Sequence, residues 1–453
     1  MDREEYNFIP GGLVSCFLNE MEVTILKIAK DKITVRVSEK LENDAVFSIK
    51  TAFYIFKKKR YEEVSIIDYE IIEKEKKDFY TAYTFAINDD RYSSMVKYIF
   101  KDYSRYINLK TYGMENEFSK EMVGYPSELD YDFYAYFSET KRQWMKENDF
   151  LKFDQNKSIK QLMDKFKAAV SLHDDVLYKM FLENDIDSFK DEYLYQNYAY
   201  GYKIFSKDIS RIYIGSEFCH NLFPETEQLI KMIDKAKKEE LDITLCFTYM
   251  RDCFIEKAEK CIDRVYQWCI ENNINIEIVI NDWGMLKILK DKTDYFTLCL
   301  GTLLNKRKKD PRYMYKNGYE ENNELLAENS LNSSLFEKFL KENNIERYEY
   351  ESCGYKMHIA EGSHSLHMPF YVTNVSQYCP LYAMCKNMDR GKQILVKNCP
   401  KYCRDYVFSY PKHLKMTGRY NSLFAFDDVI LKDYTILEYY LNNGIDRLVF
   451  NFM

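Results

Sequence analysis

RIYIG (211–215), DITLCF (242–247), NIEIVI (275–280) and YFTLCLG (295–301) decide how this chain is read. Each is a short, almost continuously apolar run, the pattern of a parallel strand covered on both faces. Amphipathic stretches such as TEQLIKMIDKAKKEE (226–240) lie between them. Four further runs extend the series: ERYEYE (346–351), LHMPFYVTN (366–374), SLFAFD (422–427) and RLVFNF (447–452), with SSLFEKFLKENN (333–344) as another amphipathic spacer. Eight strands alternating with helices are what a TIM-type (β/α) barrel requires, so residues 206–453 are read as an α/β barrel domain. No helix follows the eighth run, and the region before the first run is expected to cover that place.

Working outward toward the N-terminus, residues 111–205 read as a helical linker or an elaboration of the barrel's lower face. Pro126 and ELDYDFYAYF (128–137) look like a connection, and KQLMDKFKAAVSLHDDVLYKMFLEND (160–185) carries helical periodicity. Residues 1–110 read as a small β-rich domain with strands EVTILKIA (22–29), KITVRVS (32–38), AVFSIKTAFYIFK (45–57), EEVSIIDYEII (62–72) and FYTAYTFAI (79–87). A helix, RYSSMVKYIFKDYSRYI (91–107), follows, with Met95, Ile99 and Tyr103 at four-residue spacing. Strands followed by a helix in this order resemble a PilZ-type β-barrel. That resemblance implies an RxxxR leader and a D/NxSxxG turn for a cyclic dinucleotide. Neither is here, since the turn position reads AKDKITVRVS (29–38), so no cyclic dinucleotide is expected. Packing, or docking of a protein partner, is the expected role.

Composition bounds the function classes. A length of 453 residues fits two or three domains, and 8 Pro with 14 Gly leave little for linkers. The 41 Tyr fit a biased base composition more simply than a binding surface, since Lys, Asn and Ile are also abundant. A net charge of −7 excludes a global nucleic-acid footprint, although NKRKKDPR (305–312) is a local basic stretch. The N-terminus MDREEYNFIPGG lacks the apolar core of a signal peptide. No run approaches the ~20 apolar residues of a spanning helix, so no membrane association is expected. Twelve cysteines without a secretory signal point to a reducing cytoplasm, where clustered cysteines read as metal ligands.

Cys379, Cys385, Cys399 and Cys403 form such a cluster, spaced C-x5-C-x13-C-x3-C. Four soft thiolates in so short a segment suit one zinc ion or one cubane iron–sulfur cluster. Cys379 follows the sixth strand run, which puts it at the carboxyl mouth of the barrel, where such folds do their chemistry. Pro380 and Pro400 stiffen the turns after two of the ligands. Spacing alone does not choose between a structural zinc and an iron–sulfur cluster. Cys253, Cys261 and Cys269 recur every eight residues on one helix, too far apart for one ion, and read as core residues. Cys219 follows a strand end and could face the site, with packing as the favoured reading.

Strand ends supply the remaining candidates. Glu217, Asn281, Asp282, Arg307 and Arg312 rank first as catalytic or substrate-holding groups, because carboxylates, amides and guanidinium groups there can move protons or hold a polar substrate. The competing reading is that such residues cap helices or join salt bridges.

GSEFCHNLFPETEQL (215–229), VINDWGMLKIL (279–289), LGTLLNKRKKDPR (300–312), SLHMPFYVTNVSQYC (365–379) and CPKYC (399–403) together resemble the collagenase-like peptidase family U-32, over roughly residues 205–453. The resemblance implies a TIM barrel with a 4Fe–4S cluster, Cys379, Cys385, Cys399 and Cys403 taking the ligand positions at closer spacing than in the best-known members. It implies oxygen-independent hydroxylation or modification, with RNA, a small aromatic or a peptide as substrate. The chain is thus expected to be an iron–sulfur enzyme or enzyme subunit. The alternatives are a zinc-stapled scaffold and a true peptidase, although no HExxH motif supports the last.

Overall fold

Alternation of apolar and polar residues builds the N-terminal unit, whose strands are β1 (Glu5–Tyr6), β2 (Val14–Leu18), β3 (Met21–Ala29), β4 (Lys32–Val37), β5 (Ile49–Ile55), β6 (Arg60–Ile66), β7 (Tyr69–Lys76) and β8 (Thr81–Ile87). In β4 the odd residues Ile33, Val35 and Val37 are buried and the even ones are not, the period-2 signature of a sheet with one dry face. The strands pair antiparallel in the order β6-β5-β2-β3-β4-β8-β7, with β1 beside β3. Helix α1 (Asp90–Thr111) starts where Asp89 accepts a hydrogen bond from the Tyr92 amide at 2.7 Å. It buries Tyr92, Val96, Ile99, Phe100 and Tyr106 in the same core as Phe53 and Phe85. A short helix, α2 (Glu117–Glu121), completes this unit's helices among the described residues. Where one strand was expected over 62–72, the chain turns between β6 and β7. Ile67 at that turn is 90% exposed, and its apolar character hid the break.

This computed structural model describes residues 5–7, 12–38, 46–112, 117–123, 130–146, 158–311 and 323–453. Among them, no helix is long and apolar enough to cross a membrane.

The second unit opens with β9 (Asp130–Phe133) and α3 (Tyr134–Lys146). Its later strands are β10 (Lys167–Leu172), β11 (Ile209–Ile214), β12 (Asp242–Cys246), β13 (Ile276–Ile280), β14 (Phe296–Leu300), β15 (Arg347–Glu351), β16 (His364–Met368), β17 (Phe370–Val375), β18 (Tyr406–Ser409), β19 (Met416–Arg419), β20 (Ser422–Phe426) and β21 (Ile445–Phe450). Eight of these, β10 to β16 and β21, form a closed parallel barrel in which β21 pairs with both β16 and β10. Helices lie between successive strands, for example Thr226–Lys238 between β11 and β12 and Asp252–Asn272 between β12 and β13. The TIM-type expectation holds at this level.

Two assignments change. KAAVSL (167–172), expected within a helix over 160–185, is the first barrel strand β10, flanked by helices Ser158–Met163 and Asp175–Glu183. Both of its alanines are buried, Ala169 in the axial cluster, and neither carries a strand signal of its own. SLFAFD (422–427), expected as a barrel strand, lies in β20 of a separate antiparallel sheet ordered β17-β20-β19-β18-β9. That strand is buried too, so its hydrophobicity matched that of a barrel strand. LHMPFYVTN divides at Pro369 into β16 of the barrel and β17 of the second sheet.

Ala169, Tyr213, Cys246, Val279, Cys299 and Val449 come from six barrel strands yet form one buried cluster. They can meet only by facing the barrel axis, which fixes which side of each strand points inward.

Candidate functional site

Inward-facing positions below that cluster, toward the amino ends of the strands, are occupied by charge. Glu277 of β13 receives Arg447 of β21 at 2.7 and 3.0 Å, Arg211 of β11 at 3.1 Å and Arg347 of β15 at 3.8 Å. Burial opposes the Glu277 charge, but the three guanidinium groups overcome it and hold its pKa down at about 2. Arg447 also donates to the Tyr213 hydroxyl at 2.8 Å, and that hydroxyl lies 3.2 Å from the Glu349 carboxylate.

Toward the carboxyl ends the sign reverses. Glu349, fully buried, meets His367 Nε2 at 2.8 Å, and Glu217 stands 3.9 Å from the same nitrogen. Against burial, which lowers it, the two carboxylates raise the His367 pKa. Glu217 is 7% exposed, and burial raises its pKa, with His367 and Asn281 acting in the opposite direction. Its Oε2 accepts hydrogen bonds from Asn281 Nδ2 at 3.0 Å and from Thr302 Oγ1 at 3.3 Å. Asn281 in turn donates to the Phe247 carbonyl at 2.9 Å and accepts the Leu303 amide at 2.9 Å. A Cβ on Gly301 would come within 2.2 Å of Asn281 Oδ1, so glycine is what admits this amide. A carboxyl of raised pKa beside a carboxylate-bound imidazole has the makings of an acid–base pair.

Of the five ranked strand-end candidates, Glu217 and Asn281 come together by a direct hydrogen bond. Asp282, half-buried, accepts the Gly284 amide at 2.6 Å and shapes the turn into the next helix. Arg307 points to the loop after β15, donating to Cys353 Sγ at 2.7 Å and to the Met357 sulfur. Arg312 lies outside the described residues. His367 and Glu349 were not ranked, although their signal is present in the sequence. Ionisable residues at period two within a buried strand, as in Arg347-Tyr-Glu349-Tyr-Glu351, must face the interior of a closed barrel.

The cysteines occupy the loops beyond the strand ends. Cys379 caps the helix Pro380–Asn387, its sulfur accepting the Tyr382 amide at 3.3 Å and donating to the Tyr420 carbonyl at 3.0 Å. Cys399 accepts the Lys401 amide at 3.4 Å, with Lys401 itself in the left-handed region. Cys403 is buried, and its carbonyl receives Arg419 Nε at 3.2 Å. Cys385 is half-buried on the helix that Cys379 caps.

Cys219, read from the sequence as packing, joins this neighbourhood. Asn421 Nδ2 donates at 2.8 Å to both the Phe218 and the Ser376 carbonyls, tying the loop after β11 to the loop after β17. Burial raises the pKa of Cys403, and the field of Cys219, Cys379 and Cys399 raises it further against Arg419. Cys379, pushed up to about 12 by burial, feels Cys219 and Cys399 as well, and Cys219, pushed up to about 11, feels Cys399. Four thiols from three separate segments therefore share one electrostatic neighbourhood. Among the described residues, no three His, Cys, Asp or Glu side chains converge closely enough for a single metal ion.

No family model, curated protein or solved structure matches this chain.

Proposed function

We propose that this chain is an iron–sulfur protein whose cluster is held by Cys219, Cys379, Cys399 and Cys403, and that it is an enzyme or enzyme subunit of the modification type. The reading rests first on the four thiols that act on one another's ionisation. Buried thiols that raise one another's pKa can ionise together only around a cation, and thiolates are the soft ligands iron–sulfur clusters take. Backbone amides aimed at Cys379 and Cys399 are what such sites use to stabilise charge on sulfur. Ligands on one zinc ion stand about 3.8 Å apart, given Zn–S bonds of about 2.3 Å. A cubane spreads its thiolates over its corners, so its ligands stand farther apart than those of one zinc ion. The resemblance to the collagenase-like peptidase family U-32 also implies a 4Fe–4S cluster, though with Cys385 in the place this reading gives to Cys219, and a cytoplasmic setting would keep these cysteines reduced.

When bound, the cluster would supply electrons at the barrel mouth. The chain's own residues would do the rest: His367 and Glu217 hold protons at the axis, Asn281 and Thr302 orient Glu217, and Asn421 keeps the Cys219 loop in register. RNA, a small aromatic and a peptide are the substrate classes this reading admits.

Anaerobic purification followed by iron and acid-labile sulfide analysis tests it. Iron and sulfide near one cluster per chain are expected, with Cys219→Ser losing most of both while Cys253→Ser, on the exposed side of its helix, keeps them. Zinc alone would sink the reading in favour of a stapled scaffold. Iron retained in full by Cys219→Ser would remove Cys219 from the ligand set.

A further inference from the structure

A second site lies at the same end of the barrel, off its axis. A cavity of about 760 Å³ opens beyond the carboxyl ends of the adjacent strands β10 and β21, lined by His173, Phe452, Tyr195 and Arg419 and roofed by Tyr134 and Lys141 of α3. That volume is in the range of small-molecule sites, and the carboxyl rim is where barrels of this type bind ligands.

Its electrostatics are unbalanced. Lys141 is only 6% exposed, and its ammonium donates to the neutral Asn197 Oδ1 at 2.7 Å. No carboxylate stands within ion-pair distance of it among the described residues. Arg419, equally buried, packs its guanidinium 4.0 Å from the Tyr134 ring centre, with Lys141 5.8 Å from the same centre. Asp174 is the side-chain carboxylate that lines this cavity among the described residues, and Met453 lines it as well. Asp174 is already engaged by Arg419 at 3.4 Å, the Tyr420 hydroxyl at 3.0 Å and two amides of the helix Asp175–Glu183. Burial drags the Lys141 pKa down. Against burial, Arg419 and Lys141 draw the Tyr134 pKa down, Lys141 also by hydrogen-bonding the Tyr134 hydroxyl. His173, 3% exposed, lines the wall with a buried Nδ1 that makes no hydrogen bond. Burying a cation without its counter-charge is costly, and an unused ring nitrogen is a second open demand.

We propose that this cavity binds a small organic anion, its carboxylate or phosphate seated on Lys141 and Arg419, its His173 partner a hydrogen-bonding group, and its apolar body against Tyr195 and Phe452. The site stands on the cavity and its buried cations, whatever metal the cysteines hold. Two aromatic neighbours argue for a ring-sized body over a bare ion, since Tyr195 and Phe452 offer apolar faces beside the charge.

Calorimetric titration of the full-length protein, as isolated anaerobically, with benzoate, phenyl phosphate and the neutral isostere benzamide tests this. One saturable site per chain is expected for at least one anion. The better of the two identifies the head group, and benzamide is expected to bind at least about tenfold more weakly. Lys141→Met should cost about tenfold for the anion and little for benzamide. Arg142→Ala, on the rim and already paired with Glu139, should leave affinity within about twofold. Absence of saturable binding by either anion, or equal affinity for benzamide, overturns the proposal. So does an unchanged affinity in a Lys141→Met protein that melts like the parent. If that variant fails to fold, the anion-against-benzamide comparison on the parent protein decides.

Discussion

The two ends of the barrel interior hold buried charge of opposite sign. At the amino end one carboxylate, Glu277, is surrounded by Arg211, Arg347 and Arg447. At the carboxyl end one imidazole, His367, lies between Glu349 and Glu217. The first set is closed: the carboxylate is held well below its ordinary pKa, and the arginines find further partners, Arg347 in Asp446 at 2.9 Å and Arg211 in Asp242 at 3.0 Å. The second set is poised, with Glu217 pushed toward the neutral form. The comparison teaches that burying charge in one barrel serves two purposes. Paired to excess, it locks the strands together. Paired short, it leaves a proton that can move.

Breaking the closed end should have the largest effect. Glu277→Ala leaves the buried Arg447 and the half-buried Arg211 and Arg347 facing one another and is expected to cost about 3–5 kcal/mol of stability, read by urea unfolding. A drop under about 1 kcal/mol would show that the arginines repair themselves with water. The same carboxylate sets an acid limit. Its pKa is lower in the folded chain than the ordinary 4.5, so its contribution is complete above about pH 4.5 and fades as the pH falls toward about 2. The size is on the order of 3 kcal/mol, and the parent should lose that much more than Glu277→Gln over this window.

Effects at the poised end are smaller in stability. Gly301→Ala drives a Cβ into the Asn281 amide and should cost about 1–3 kcal/mol, with an upward shift of the Glu217 pKa as its hydrogen bond from Asn281 is lost. Glu217→Gln should change stability by less than about 1 kcal/mol at pH 7. Its sign is set by linkage: a carboxyl whose folded pKa is raised stabilises least at high pH, so the variant should gain on the parent as pH rises. A variant that instead loses stability steadily with rising pH would show that the Glu217 charge supports His367 more than burial opposes it.

The barrel was legible because parallel strands covered on both faces declare themselves as apolar runs. The strands that misled are those where that rule is silent or shared. β10 uses the buried Ala168 and Ala169 between two helices, and small residues there look helical. β20 is buried in an antiparallel sheet, and burial on both faces reads alike in either setting. At the axis, Glu217 and Asn281 were found because they follow strands. Glu349, read as near the end of its strand but not ranked, and His367, not considered, both lie inside strands. Cys399 and Cys403 are neighbours in sequence, so their association was plain, whereas the Cys219 loop is drawn toward them by long-range hydrogen bonds from Asn421 and from Asn221 to the Val396 carbonyl. Lys141 and Arg419 carry no motif at all, and only the packing of α3 shows that they share a cavity.

One feature of the topology bears on how such a molecule can change. Strands β16 and β21 are neighbours in the barrel, yet the chain leaves it after Met368 and rejoins at Ile445. Between those points it builds β17 to β20 and places Cys379, Cys399 and Cys403. At the point of departure the Asn451 side chain pairs with the Phe370 amide and carbonyl at 3.0 and 2.7 Å, as a strand's backbone would. Exit and re-entry are thus pinned side by side, like the two feet of an arch. What spans them can be lengthened, shortened or exchanged while the barrel strands keep their register. The part of the chain that carries three of the four proposed ligand cysteines is the part most open to replacement.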